Sequence, residues 1–151
     1  MSVVYLAVGS VTGTAKAVAF AVRDRLTDAG HQVVLDEHPG VAALNSSQCD
    51  ALLICTSTTG HGDLPADMVP FYVELDEQFP LQNGRPFGVI CLGDSSYDDT
   101  FGAAGIMMEE RFLELQGSEP LPRITIDAIE TVTPDDDALL WLEEWIQKAL
   151  A

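Results

Sequence analysis

Basic residues are scarce in this chain of 151 residues: Lys and Arg total 7 against 24 Asp and Glu, for a formal net charge of −17 at pH 7. A surface of that sign repels nucleic acid and anionic membrane, and it steers a basic-faced protein partner toward itself. Cysteine is nearly absent. The three present, Cys49, Cys55 and Cys91, sit in apolar stretches with no CxxC, no Cys/His ligand spacing and no secreted-type framework, which predicts reduced thiols and a cytoplasmic location. No cysteine has an arginine six residues on, so a low-molecular-weight phosphatase loop is excluded, and His31, His38 and His61 show no metal-ligand spacing. No apolar run approaches the ~20 residues that span a bilayer, and the opening MSVVYLAVG has neither a basic leader nor a cleavage site. The expectation is a soluble monomer forming one domain over residues 1–151, because a chain of this length buries roughly 70% of its unfolded surface without a staple.

What is present is alternation. The runs VVYLAV (3–8), ALLICTS (51–57) and FGVICLG (87–93) are nearly continuous in apolar residues, as parallel strands covered on both faces must be. HQVVLDEH (31–38) and RITIDAI (123–129) alternate apolar with polar residues and read as edges. Between them, Ala15, Val18, Ala19, Val22, Leu26 and Ala29 keep helical spacing up to Gly30. Met68, Phe71, Tyr72, Leu75 and Phe79 do so from near Asp67, with Pro70 tolerated in the first turn. Met108, Phe112 and Leu115 suggest a helix before Gly117, and Ala138, Trp141, Leu142, Trp145, Ile146 and Ala149 one after Thr133-Pro134, where Asp135, Asp136 and Asp137 suit the positive helix end. Residues 39–48 show no regular period. Strands alternating with helices predict an α/β, three-layer αβα sandwich around a five-stranded parallel sheet of order 2-1-3-4-5, with ligands bound at the carboxyl ends around the switch between strands one and three.

Three loops leave those ends. Ser10-Val11-Thr12-Gly13-Thr14-Ala15 places hydroxyl donors and a glycine at a helix N-terminus, which makes a phosphate cradle of neutral donors; taken alone, it also fits a Ser/Thr-rich helix cap. No lysine stands where GxxxxGK[ST] needs one, and GxGxxG is absent. TSTTGHGDLP (56–65) again gathers hydroxyls and glycines, and LGDSSYDDTFG (92–102) carries one aromatic, Tyr97, on a polar loop where a flat ligand could stack. A receiver domain would need an acidic pair after strand one and an Asp after strand three, where this chain has Gly9-Ser10 and Thr56-Ser57.

Taken together, the loops resemble those of flavodoxins and of the flavodoxin-like modules of diflavin reductases. TSTTGHGDLPADMVPFY and GVICLGDSSY are most similar to a small, short-chain bacterial branch that contains the MioC and YqcA proteins. The resemblance implies a flavodoxin-like fold, noncovalent FMN, and a low-potential one-electron carrier without substrate turnover, working between a basic-faced, NADPH-linked reductase and acceptor proteins. It implies phosphate held by Ser10, Val11, Thr12, Gly13, Thr14 and Ala15. It implies the ring edge met by backbone of Ser57, Thr58, Thr59 and Gly60 and of Gly93 and Asp94, with Tyr97 stacked on the outer face, and it places His61, Gly62, Leu92, Phe101 and Gly102 among the flavin-binding residues. On reduction, the Gly60 peptide would turn to offer its carbonyl to a ring nitrogen. Thr59 stands where many relatives have Trp or Tyr over the inner face, which leaves that face open, covered by His61 or shielded by Leu64. Phe101 stands where many have a cysteine before the glycine, unless the loop holds one extra residue. A second reading, an FMN-containing binding or regulatory protein that does not shuttle electrons, would carry the same loops.

Overall fold

In the computed structural model the described residues are 1–11, 13–59, 62–93, 102–127, 131 and 133–150. Five strands, β1 (Val3–Gly9), β2 (Gln32–Asp36), β3 (Ala51–Ser57), β4 (Phe87–Gly93) and β5 (Ile124–Asp127), form one sheet. All neighbouring pairs are parallel and the order is β2-β1-β3-β4-β5, the order expected from the sequence pattern. Every residue of β3 and β4 is buried, whereas β2 is only half-buried, which accounts for the difference between continuous and alternating apolar runs.

The helices are α1 (Thr14–Asp28), α2 (Val41–Ser47), α3 (Val69–Gln78), α4 (Ala103–Glu114) and α5 (Pro134–Ala149). Right-handed crossovers put a helix on one face when the chain moves from β1 out to β2, and on the other when it returns through β3 and β4 to β5. Accordingly α1 and α5 cover Val4, Leu6, Val8, Leu53, Cys55 and Ile90, while α2, α3 and α4 cover Tyr5, Ala7, Leu52, Ile54, Val89 and Cys91. Successive strand residues alternate between the two cores, as the pleat requires. On the first face Arg25 of α1 pairs with Glu143 of α5, and the buried Trp145 indole donates to the Phe87 carbonyl at 3.3 Å.

Helix α2 has no counterpart in the periodicity of residues 39–48. Its first N–H, on Val41, donates to Glu74 Oε1 of α3 at 2.9 Å, so its cap comes from another element. The edge strand β2 is likewise fastened from within: the fully buried Tyr5 donates its hydroxyl to Asp36 Oδ2 at 2.7 Å. Burial, followed by the hydrogen bond and charge of Asp36, pushes the Tyr5 phenol far above its ordinary range, so it remains a donor.

The segment leading to β5 brings Glu119 beside Glu109, which pairs with Arg123. Burial first, then the hydrogen bond and charge of Glu109, push the Glu119 carboxyl from its ordinary 4.5 up to about 8, with partial relief from Arg123. An acid raised on folding holds more protons folded than unfolded between those two values, so the stability it contributes is lost as pH rises through that window. Glu119→Gln lacks this titration. Compared with the wild type by urea denaturation, the variant is expected to gain in relative stability from about pH 5 to about pH 8 and to level off above; a difference independent of pH would overturn the assignment.

Candidate functional site

The strand ends that launch the three loops lie side by side. Gly9 pairs with Thr56, Ser57 with Leu92, and Gly93 with Asp127, so loops after β1, β3 and β4 open from one edge, flanking the switch between β1 and β3.

In the first loop, Gly13 N–H donates to Ser10 Oγ at 2.8 Å and closes a tight turn. Gly13 then begins α1 with φ of 91°, and the first intrahelical bond runs from Ala17 N–H to the Gly13 carbonyl at 3.0 Å. Among the described residues no side chain caps the helix, and no acid lies in its first turn. The Ser10 oxygen thus accepts within the turn, which leaves its O–H as a donor. What remains is a positive helix end, with the N–H groups of Ala15 and Lys16 lacking an intrahelical acceptor. Val11 is 54% exposed on the outside of the loop. The Lys16 ammonium is held 2.7 Å from Glu37, so its charge is already matched and the donors facing an anion here are neutral. That partnership, across 21 residues of chain, has no signature in spacing.

In the second loop, Thr58 N–H reaches across to the Leu92 carbonyl at 3.0 Å. Thr59 staples the turn that follows: its N–H donates to the Asp63 carbonyl at 3.0 Å, its carbonyl accepts from Gly62 at 2.9 Å, and its hydroxyl accepts from Asp63 N–H at 2.9 Å. Thr59 thus secures its own loop. Leu64, one candidate for shielding a ring, is 6% exposed among the α3-side core residues and has little surface left to give.

The third loop starts from the buried Leu92 and Gly93 and ends at Gly102, which begins α4 with φ of 75°. Thr12, Gly60, His61, Asp94, Tyr97 and Phe101 lie outside the described residues. Ser10, Val11, Gly13, Thr14, Ala15, Ser57, Thr58, Thr59, Gly62, Leu92, Gly93 and Gly102 are brought to the one edge. Among the described residues no His, Cys, Asp or Glu cluster could hold a metal, and no helix is long and apolar enough to cross a membrane. The edge offers a positive helix end with neutral donors for a phosphate, and a backbone-lined crevice beside it.

Residues 6–141 match the flavodoxin family model. The chain is 34% identical over 145 residues to Flavodoxin YqcA of Pectobacterium carotovorum, covering 96% of this chain and 95% of that one. It is 31% identical over 146 residues to Protein MioC of Escherichia coli K12, covering 97% of each. Among solved structures, a cysteine-to-serine mutant of flavodoxin from Pseudomonas aeruginosa superposes with a TM-score of 0.93 at 41% identity, over 99% of both chains.

The two helix-starting glycines should differ in tolerance. A Cβ on Gly13 meets nothing within 4 Å, so Gly13→Ala bears only the left-handed backbone cost, about 1 kcal/mol. On Gly102 it would stand 2.9 Å from Thr125 Cγ2, so Gly102→Ala adds overpacking and is expected to cost about 2–3 kcal/mol. Urea denaturation of the two apoproteins separates the cases, and equal losses would contradict the packing argument.

Proposed function

The chain belongs to the flavodoxin family, electron-transfer proteins whose cofactor is FMN, and we propose that it is a low-potential carrier passing single electrons from an NADPH-linked reductase to acceptor proteins. One observation carries this reading: three loops of the right chemistry leave the sheet in register at the switch point. The residues present fit the cofactor, because a helix start free of acids suits a phosphate, and the paired ends of β3 and β4 offer backbone to a ring edge. When bound, FMN supplies the capacity to take up and release electrons one at a time.

The chain's own residues do the rest. Ser10, Thr12, Gly13, Thr14 and Ala15 would hold the phosphate. Backbone of residues 57–60 and 93–94 would orient the ring edge, and the family resemblance assigns Tyr97 to the outer face and Gly60 to the peptide that would offer its carbonyl to the ring on reduction. Glycine reaches both peptide orientations at little cost. The acidic surface opposes a second added charge at the site and so favours a low potential, with effect limited to carboxylates within the screening length of ~8–10 Å. The protein works as one FMN-binding domain over residues 1–151, a cytoplasmic monomer that turns over no substrate of its own.

Stepwise anaerobic reduction of the FMN-reconstituted protein, followed by visible absorbance, tests the reading. Two resolved one-electron steps are expected. A single two-electron step would favour a binding or regulatory protein that does not shuttle, and failure to bind FMN would remove the phosphate-cradle assignment.

Docking through the acidic face carries its own signature. The rate of reduction by a basic-faced flavodoxin reductase is expected to fall steeply between about 50 and about 200 mM salt, and a rate indifferent to salt would rule that docking mode out.

A further inference from the structure

Two interior thiols reach from the sheet to its functional edge. Cys55 lies in the core on the α1 side and Cys91 in the core on the α3 and α4 side. Cys55 Sγ donates to the Ala15 carbonyl at 3.3 Å, in the helical turn behind the first loop. Cys91 Sγ lies 3.2 Å from Thr58 Oγ1, on the first residue beyond β3. On its other side the residue is pressed against α4: a Cβ built on Gly105 would stand 2.6 Å from Cys91 Cβ and 3.1 Å from its Sγ. Cys91 therefore touches both the start of the second loop and the helix that closes the third. Burial raises its pKa, so it remains a neutral thiol. An alanine at this position would keep the helix approach and lose only the sulfur, leaving the half-buried Thr58 hydroxyl without this partner.

We propose that Cys91 is a positioning residue for the flavin: its hydrogen bond to the Thr58 hydroxyl fixes that side chain and, through it, the start of the loop that meets the ring edge. The proposal rests on the FMN reading above. The Cys91 S–H also lies within reach of the Leu92 carbonyl at 3.7 Å, so the Thr58 bond runs either by S–H donation or by the Thr58 hydroxyl donating to the sulfur, and either arrangement orients the hydroxyl and perturbs the S–H stretch. Cutting one neutral hydrogen bond is expected to weaken FMN binding about three- to tenfold.

The test compares wild type, Cys91→Ala, Thr58→Val and the double variant. FMN dissociation constants come from quenching of flavin fluorescence, and the S–H stretch is read by infrared spectroscopy on the apoproteins. Cys91→Ala is expected to lose about three- to tenfold in affinity, the double variant to bind no more weakly than Thr58→Val, and the Cys91 band to shift in Thr58→Val without any flavin. Additive losses, or unchanged affinity in Cys91→Ala, would overturn the proposal. Should Cys91→Ala not fold, Thr58→Val cuts the same bond from the loop side: a shifted band with weaker FMN binding supports the proposal, and an unshifted band overturns it. If the wild type binds no FMN, the function reading falls and takes the proposal with it, a result distinct from tight wild-type binding without coupling between the two positions.

Discussion

Burial of β3 and β4 on both faces is the constraint from which the rest of the molecule follows. A strand covered above and below and paired on both sides has no surface except its ends. With all strands parallel, one end of the sheet collects the carboxyl termini and therefore the loops that enter helices, where unpaired N–H groups and the positive ends of dipoles gather. The reversal of winding between β1 and β3 parts the helices there, α1 to one face and α3 to the other, and leaves a crevice at that edge. Close packing reaches up to the site itself. Gly9 has no room for a Cβ because Met68 Cβ would lie 2.8 Å away, so the end of β1 is pressed against the segment entering α3. The segment entering α3 is held by the same packing that holds the core.

How much of this was legible in the sequence varied with the range of the interaction responsible. The central strands declared themselves because total burial demands an unbroken apolar run, and α1 and α5 because a helix covering a sheet needs its stripe. The three aspartates at the start of α5 meet the helix end as their position suggested. Helix α2 escaped notice, since it is short and draws its cap from Glu74, 33 residues away. At the site, residue types and loop order pointed to an anion and a flat ring, but the duties within each loop did not show. Ser10 looked like one donor among several, yet it closes the turn onto Gly13. Thr59 was conspicuous for standing in an aromatic's place, and its structural task is to bind Asp63. Such short hydrogen bonds depend on loop path, which neither periodicity nor composition encodes.

A strongly acidic protein that holds a phosphate sets two electrostatic demands against each other, and distance decides between them. A carboxylate 10 Å from the phosphate opposes it by only about 0.4 kcal/mol in water-like dielectric before salt weakens it further. A backbone N–H within hydrogen-bond reach of a charged oxygen contributes about 1.5–3 kcal/mol. A handful of N–H groups at the start of α1 therefore outweighs many distant acids, provided no acid enters the first turn, and none does. The one lysine in that turn is matched by Glu37 at 2.7 Å, so the local balance rests on neutral donors and the helix dipole. This separation of scales reconciles a strongly negative surface with a site hospitable to an anion, because the two draw on charges at different distances.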